Sequence, residues 1–196
     1  MNIDTFPLLI FVLATTFSPG PNNISAAVMG VSVGYKKSLT YLIGIMSGFS
    51  LIMMLCALIS SQILAVLPQL EIYLSYIGFI YILWLAYSTL TSSIQNDSKT
   101  VTQHAFTKGF VLQLINPKAI VYGLTLYSTF LVTLVDNLPY LIGSSVIFGL
   151  ITFSAISTWS MFGSALRHQL TNPTLHRVIN ATLAMLLAYT AFTLLP

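Results

Sequence analysis

Charge is what this sequence has least of. Only 6% of its 196 residues are Asp, Glu, Lys or Arg, against about 25% in soluble globular domains. With 56% hydrophobic residues and a mean hydropathy of +0.89, that shortage excludes an ordinary soluble domain. Acidic residues are the scarcest of all: Asp4, Glu71, Asp97 and Asp136 are the only four, and none lies well inside an apolar run. A cation pump or channel working through buried carboxylates is therefore disfavoured. The three histidines, His104, His168 and His176, fall in loops or at the ends of apolar runs, so no metal site is expected. A zinc protease needs a spaced His pair on one helix, and a serine hydrolase needs a base near its hydroxyl. Neither constellation is present, and the chain does not read as an enzyme. Cys56 is the only cysteine, which precludes an internal disulfide, and within Leu51 to Leu58 it reads as a small buried hydrophobe. No Lys or Arg precedes the first apolar run, and Asp4 does. A cleavable signal wants a basic leader, so this segment is expected to be retained. The net charge of +3 and pI near 9.0 come from cations scattered singly and in pairs, which forms no patch for nucleic acid.

What is abundant is apolar sequence in runs of about 20 residues, the length that crosses a bilayer as a helix. Six spans can be drawn: about 6–33, 38–67, 72–90, 109–135, 138–161 and 175–195. The fold class expected is an all-α membrane protein of six transmembrane helices in a single domain, 1–196. Its first repeat would cover about 1–91, a polar linker about 92–108, and its second repeat about 109–196. Lys36, Lys37, Lys99, Lys108, Arg167 and Arg177 all fall in connections on one side, which the positive-inside rule makes cytoplasmic. Asp4, Glu71 and Asp136 fall on the other. Both termini are then periplasmic. Three spans per half make the halves antiparallel, an inverted-repeat arrangement.

Lys118 is the one cation this scheme leaves over. It stands inside the apolar stretch Gly109 to Val135, ten positions from Lys108. At ~1.5 Å of rise per residue it would lie roughly 14 Å into the span, about the middle of the bilayer. A charge at that depth costs on the order of 2.5–3.5 kcal/mol, so its default reading is functional, with snorkelling to the interface as the alternative. Asn116-Pro117-Lys118-Ala119 sets a helix breaker beside the charge, and Ser18-Pro19-Gly20-Pro21-Asn22-Asn23 interrupts the first span. The first and fourth helices are expected to be broken there, because proline removes an amide and displaces a carbonyl. Lipid tolerates such backbone only where it is covered by protein or lines a cavity. A simple kink at Pro117 is the competing possibility. Asn22, Asn23 and Asn116 can each donate and accept, toward a zwitterion or toward the freed backbone. A half-helix beginning after Asn23 would add positive amide ends. Tyr122 and Tyr127 are candidate pocket walls. Gly44 with Gly48, and Gly30 with Gly34, are spaced as close-packing faces. Trp159 reads as part of an interfacial aromatic belt.

These elements together resemble the lysine-exporter (LysE/RhtB) family of small bacterial amino-acid exporters. The Ser18 to Asn23 motif, Gly34-Tyr35-Lys36-Lys37 and Asn116-Pro117-Lys118-Ala119 carry the resemblance, which covers the whole chain in length, span number and motif order. Phe110 to Asn116, Leu124 to Phe130, Leu55-Cys56-Ala57 and Tyr81 to Ala86 are most similar to the cysteine and O-acetylserine exporter branch. The resemblance implies a multi-pass protein of the bacterial inner membrane that exports small neutral amino acids or derivatives by proton antiport. Cysteine and O-acetylserine head the candidates, with homoserine, threonine and leucine behind them. No cofactor is implied. Substrate-binding roles pass to Pro19, Gly20, Pro21, Asn22, Asn116, Pro117 and Lys118, with Asn23 in the same motif. Lacking a carboxylate in the membrane, the chain needs another proton carrier, for which a partly desolvated Lys118 is the candidate. The partners expected are an amino-acid substrate, protons and the lipid bilayer, and the glycine faces permit a homodimer. An exporter of basic amino acids, a membrane-embedded enzyme and a scaffold subunit remain as alternatives.

Overall fold

The structure, a computed structural model, describes residues 5–59, 67–91, 102–131, 137–167 and 173–192. All regular structure among them is helical: α1 (Thr5–Phe17), α2 (Pro21–Val33), α3 (Tyr35–Ile59), α4 (Leu67–Leu90), α5 (Ala105–Leu114), α6 (Pro117–Thr125) continued by a π-helical turn (Leu126–Phe130), α7 (Leu138–Arg167) and α8 (Pro173–Phe192). Most of the polar linker expected at 92–108 lies outside the described residues. Its last residues do not, and from Ala105 they are already the first turn of α5.

The described helices carry large apolar side chains on their outer surface, among them Phe6, Ile10, Leu55, Ile80, Ile147 and Met185. Apolar surface so extensive and dispersed has no place in water. By length and composition α3 and α7 (to Leu166) can each cross a membrane alone, and α5 with Pro117–Phe130 makes a third span bent by 57°. Thr5–Phe17, Phe79–Leu90 and Arg177–Phe192 are shorter apolar helices. The protein is thus an all-α membrane protein.

Glycines set which helices touch. A Cβ on Gly30 of α2 would collide with the Ser160 carbonyl of α7, and one on Gly163 of α7 with the Ala27 carbonyl of α2. On the other side of the bundle, a Cβ on Gly44 of α3 would meet the Phe106 carbonyl of α5, and one on Gly109 of α5 the Tyr41 carbonyl of α3. These are the close approaches that small residues allow between membrane helices. Residue numbers rise together along α3 and α5, since Gly44 faces Phe106 and Gly48 faces Phe110 and Gln113. The two helices are therefore parallel. They fall against each other along α3 and α7, where Gly149 faces Ser50 and Ser38 Oγ lies 2.7 Å from Ser160 Oγ, so that pair is antiparallel. Helix α4 packs on α8 through Phe79 and Phe192, ring centroids 5.3 Å apart.

The structure refines two expectations about glycine. Gly34 is buried and has a backbone role besides its spacing from Gly30. It has φ 81° and returns its amide to Gly30 O at 2.9 Å, ending α2 so that α3 starts at the next residue, a conformation glycine adopts without penalty. The Gly44 and Gly48 face is occupied by α5 within the chain, so it offers no surface for self-association.

Candidate functional site

The first interruption is shorter than the sequence suggested. Only Ser18, Pro19 and Gly20 lie outside helix, and Pro21 is already the first residue of α2, preceded by Gly20 as N-cap. Proline fits that position because its missing amide would have had no helical partner there and its φ is preset. The last carbonyls of α1, normally orphans, all find donors. Ala14 O accepts from Ser18 N at 3.2 Å and Thr15 O from Ser18 Oγ at 3.0 Å. Asn23 Nδ2 reaches back to donate to both Thr16 O and Ser18 O at 2.8 Å. Phe17 O accepts from Trp159 Nε1 at 3.3 Å. That last bond corrects the belt reading of Trp159, whose indole stitches α7 to the interruption. The amide end is treated differently. Gly20 has no side chain to cap α2, and no side-chain cap bond is formed, so the first turn of α2 keeps its partial positive charge.

At the second interruption only Ile115 and Asn116 stand between α5 and α6. Here a side chain does cap the following helix, Asn116 Oδ1 accepting from Lys118 N at 3.1 Å, with Pro117 at the first position. The two interruptions lie side by side. Asn116 Nδ2 donates to Asn22 Oδ1 at 2.9 Å, and Lys118 Nζ donates to Ser18 Oγ at 2.9 Å. Both bonds join residues more than 90 positions apart.

Between them is a cavity of about 40 Å³, enough for water but too tight for an amino acid without movement of its walls. Gly20, Pro21, Asn22, Asn23, Asn116, Lys118 and Tyr122 of the expected residues line it. Pro19, Pro117 and Tyr127 are not among the lining residues. Pro19 is exposed and Pro117 buried, while Tyr127 is bonded to Ser144 Oγ at 2.9 Å. Thr15, Thr16, Phe49, Ala119 and Thr152 complete the lining, and the sequence did not single them out. A Cβ on Gly20 would lie 3.0 Å from Lys118 Nζ, so glycine there lets the ammonium approach the backbone. A partly buried ammonium beside uncapped amides is chemically suited to a carboxylate. Among the described residues no group of His, Cys, Asp and Glu could hold a metal ion. All four acidic residues, and His168 and His176, lie outside the described side chains.

An aromatic cluster stands on one side of this cavity. Phe11 stacks on Tyr122 and on Phe130, both with centroids 5.3 Å apart, and Tyr122 also meets Phe49 at 5.6 Å and Phe148 at 6.5 Å. Toward the far end of α2 a second, larger cavity of about 190 Å³ lies among Ser25, Ser32, Tyr41, Tyr81, Trp84 and Lys108. Ser25, whose Oγ donates to Asn22 O at 2.9 Å, and buried Tyr41 both line this second cavity.

The chain was compared with known proteins. The family profile described as LysE type translocator matches residues 13–196. The chain is 34% identical over 181 residues, 92% of each chain, to the "Cysteine/O-acetylserine efflux protein" of Escherichia coli (strain K12) and equally to that of Shigella flexneri serotype 5b (strain 8401). It is 35% identical over 185 residues, again 92% of each, to the protein of the same name from Salmonella choleraesuis (strain SC-B67). No solved structure matches it.

Proposed function

The chain belongs to the LysE translocator family and is a membrane transporter rather than an enzyme, and from that premise we propose that it exports small neutral amino acids across the bacterial inner membrane. Cysteine and O-acetylserine are the first candidates, as in the names of its relatives, with homoserine, threonine and leucine behind them. The observation that carries the reading is the meeting of two helix interruptions, one from each half, around Lys118. In the proposed complex the substrate carboxylate takes the ammonium of Lys118 and the free amides of α2, and Asn22 and Asn116 serve the amino group with their remaining acceptor capacity.

The architecture proposed is six spans as two inverted three-helix repeats, the first and fourth spans broken. Its support is the pairing of helices. Exchange of the two halves turns the contact of the first span with α7, made mainly by α2, into that of the fourth span with α3, made mainly by α5, and leaves α3 with α7 and α4 with α8 unchanged. Those four are the most extensive helix contacts in the fold. Exposed Lys36, Lys37 and Lys108 lie at the end reached by α2, which the positive-inside rule makes cytoplasmic, so both termini face out. The larger cavity is then the cytoplasmic vestibule, and the aromatic cluster the outer barrier.

In the cycle we infer, an amino acid enters by the vestibule, passes Tyr41 and Ser25, and binds at the interruptions. The halves then rock to open the aromatic side. Opening outward admits water to Lys118 and frees the carboxylate, and the antiport is completed when a proton taken up from outside is released to the cytoplasm as the site returns. Uptake of labelled cysteine, O-acetylserine, homoserine, threonine, leucine or lysine into inside-out vesicles, with and without a proton gradient, tests this. Gradient-driven uptake of the neutral substrates is expected, and Lys118→Met should reduce it to background while inserting normally. Undiminished uptake by that variant would contradict the proposal.

A further inference from the structure

Thr152 stands out against the helix that bears it. In an apolar helix a serine or threonine hydroxyl ordinarily bonds back to a carbonyl three or four residues earlier. On α7 Ser144, Ser145, Ser154 and Thr158 all do so, at 2.7–3.0 Å, while Ser160 lies 2.7 Å from Ser38 Oγ and Ser164 accepts from the Tyr35 amide. Thr152 is only 3% exposed, and its Oγ1 has no partner. Ser157 Oγ shares that condition but does not line the cavity, whereas Thr152 does. A buried hydroxyl left without a partner is unfavourable, and such a group in a native site points to a ligand or water that completes it.

The rest of the lining tells what kind of ligand group that is. Lys118, Asn22 and Asn116 form the zwitterion end in the reading above, whereas Phe49 of α3 and Ala119 of α6 are apolar walls, with Tyr122 of α6 beside them. Thr152 is the polar group contributed by α7, a helix that supplies nothing else to the lining.

We propose that the Thr152 hydroxyl reads the substrate side chain, selecting small amino acids that carry a hydrogen-bonding heteroatom (thiol, hydroxyl or ester oxygen) over apolar ones of the same size. This inference rests on the export reading. A site built to bond such a group rejects the analogue without it, because its own polar atom is then left unpaired. Thr152→Val keeps the shape and removes the hydroxyl.

The discriminating pair is cysteine and 2-aminobutyrate, which differ by a thiol in place of a methyl. In inside-out vesicles the unaltered protein should prefer cysteine in Vmax/KM by about tenfold or more, Thr152→Ser should keep the preference, and Thr152→Val should bring the ratio near one. Melting in detergent supplies a readout independent of transport. No native bond is lost in Thr152→Val, so its melting temperature should not fall, and added cysteine should raise that temperature more than 2-aminobutyrate does only in the unaltered protein and Thr152→Ser. Transport by Thr152→Val with the preference intact would overturn the inference alone, as would a drop in its melting temperature with unchanged discrimination. Absence of transport of any amino acid by the unaltered protein would overturn the export reading and this inference with it.

Discussion

The two interruptions can be set against each other atom by atom. At the first, the backbone atoms in need are the carbonyls at the end of α1, and donors come from outside, two bonds from Asn23 and one from Trp159. The amides that follow are left uncapped. At the second the following amide is capped by Asn116. One break is therefore closed on its carbonyl side and open on its amide side, while the other is closed on its amide side and contributes a charged side chain. The difference teaches how two helix interruptions, met side by side, can make an asymmetric site. Both contributions to the cavity are positive, and they come from different chemical sources, a helix end on one side and an ammonium on the other.

The largest effect should come from breaking the carbonyl side. Asn23→Ala leaves Thr16 O and Ser18 O, both partly buried, without their shared donor, at roughly 1–3 kcal/mol for each acceptor that finds no water, so a loss of about 2 kcal/mol is expected. Asn116→Ala removes one backbone cap, about 1 kcal/mol, and one side-chain bond to Asn22 whose loss leaves no backbone carbonyl orphaned, so a smaller loss is expected. Transport should follow the opposite order, because Asn116 also holds Asn22 and fixes the turn that carries Lys118. Melting temperatures in detergent and vesicle uptake, measured on both variants, decide it. Equal losses in both measurements would dissolve the division of labour drawn above.

Trp159→Phe comes next. It removes one bond, of 3.3 Å, to the Phe17 carbonyl, for a change of about 0.5–1.5 kcal/mol. The substrate KM should not change, since the indole is not part of the cavity lining. A raised KM with an unchanged melting temperature would place Trp159 in the site after all.

How much of this could be read in advance follows the same physics. Lys118 was legible because a lone charge in an apolar run has few explanations, and the prolines because they cannot continue a helix. Where the helices resume was not, since a proline that ends one helix is equally suited to begin the next, and Pro21 and Pro117 both do. Trp159 misled because the fifth span was drawn to Met161, whereas α7 runs on to Arg167 and leaves the indole well inside. Thr152 and Thr16 gave no signal, because threonine in a membrane helix usually satisfies itself, and only coordinates reveal which one does not. Phe49 is one of 12 phenylalanines, and no periodicity distinguishes the one that faces the cavity.

The smallest effect is expected at Gly20, and it is the most exact probe of the comparison. Its φ of −175° is extended backbone that alanine adopts freely, so Gly20→Ala introduces no conformational strain. The added Cβ would lie 3.0 Å from Lys118 Nζ and 3.5 Å from its Cδ, close enough to push the end of a flexible side chain by a few tenths of an ångström and no more. Stability should therefore change by less than about 0.5 kcal/mol, whereas Gly30→Ala, which drives a Cβ into a backbone carbonyl of α7, should cost about 1–3 kcal/mol. If the ammonium and the uncapped amides of α2 bind one carboxylate together, displacing the first from the second should raise the substrate KM severalfold and leave Vmax nearly intact. A variant with unaltered KM would mean that the two positive groups serve different partners, and the asymmetry between the interruptions would then have to be explained without a shared ligand.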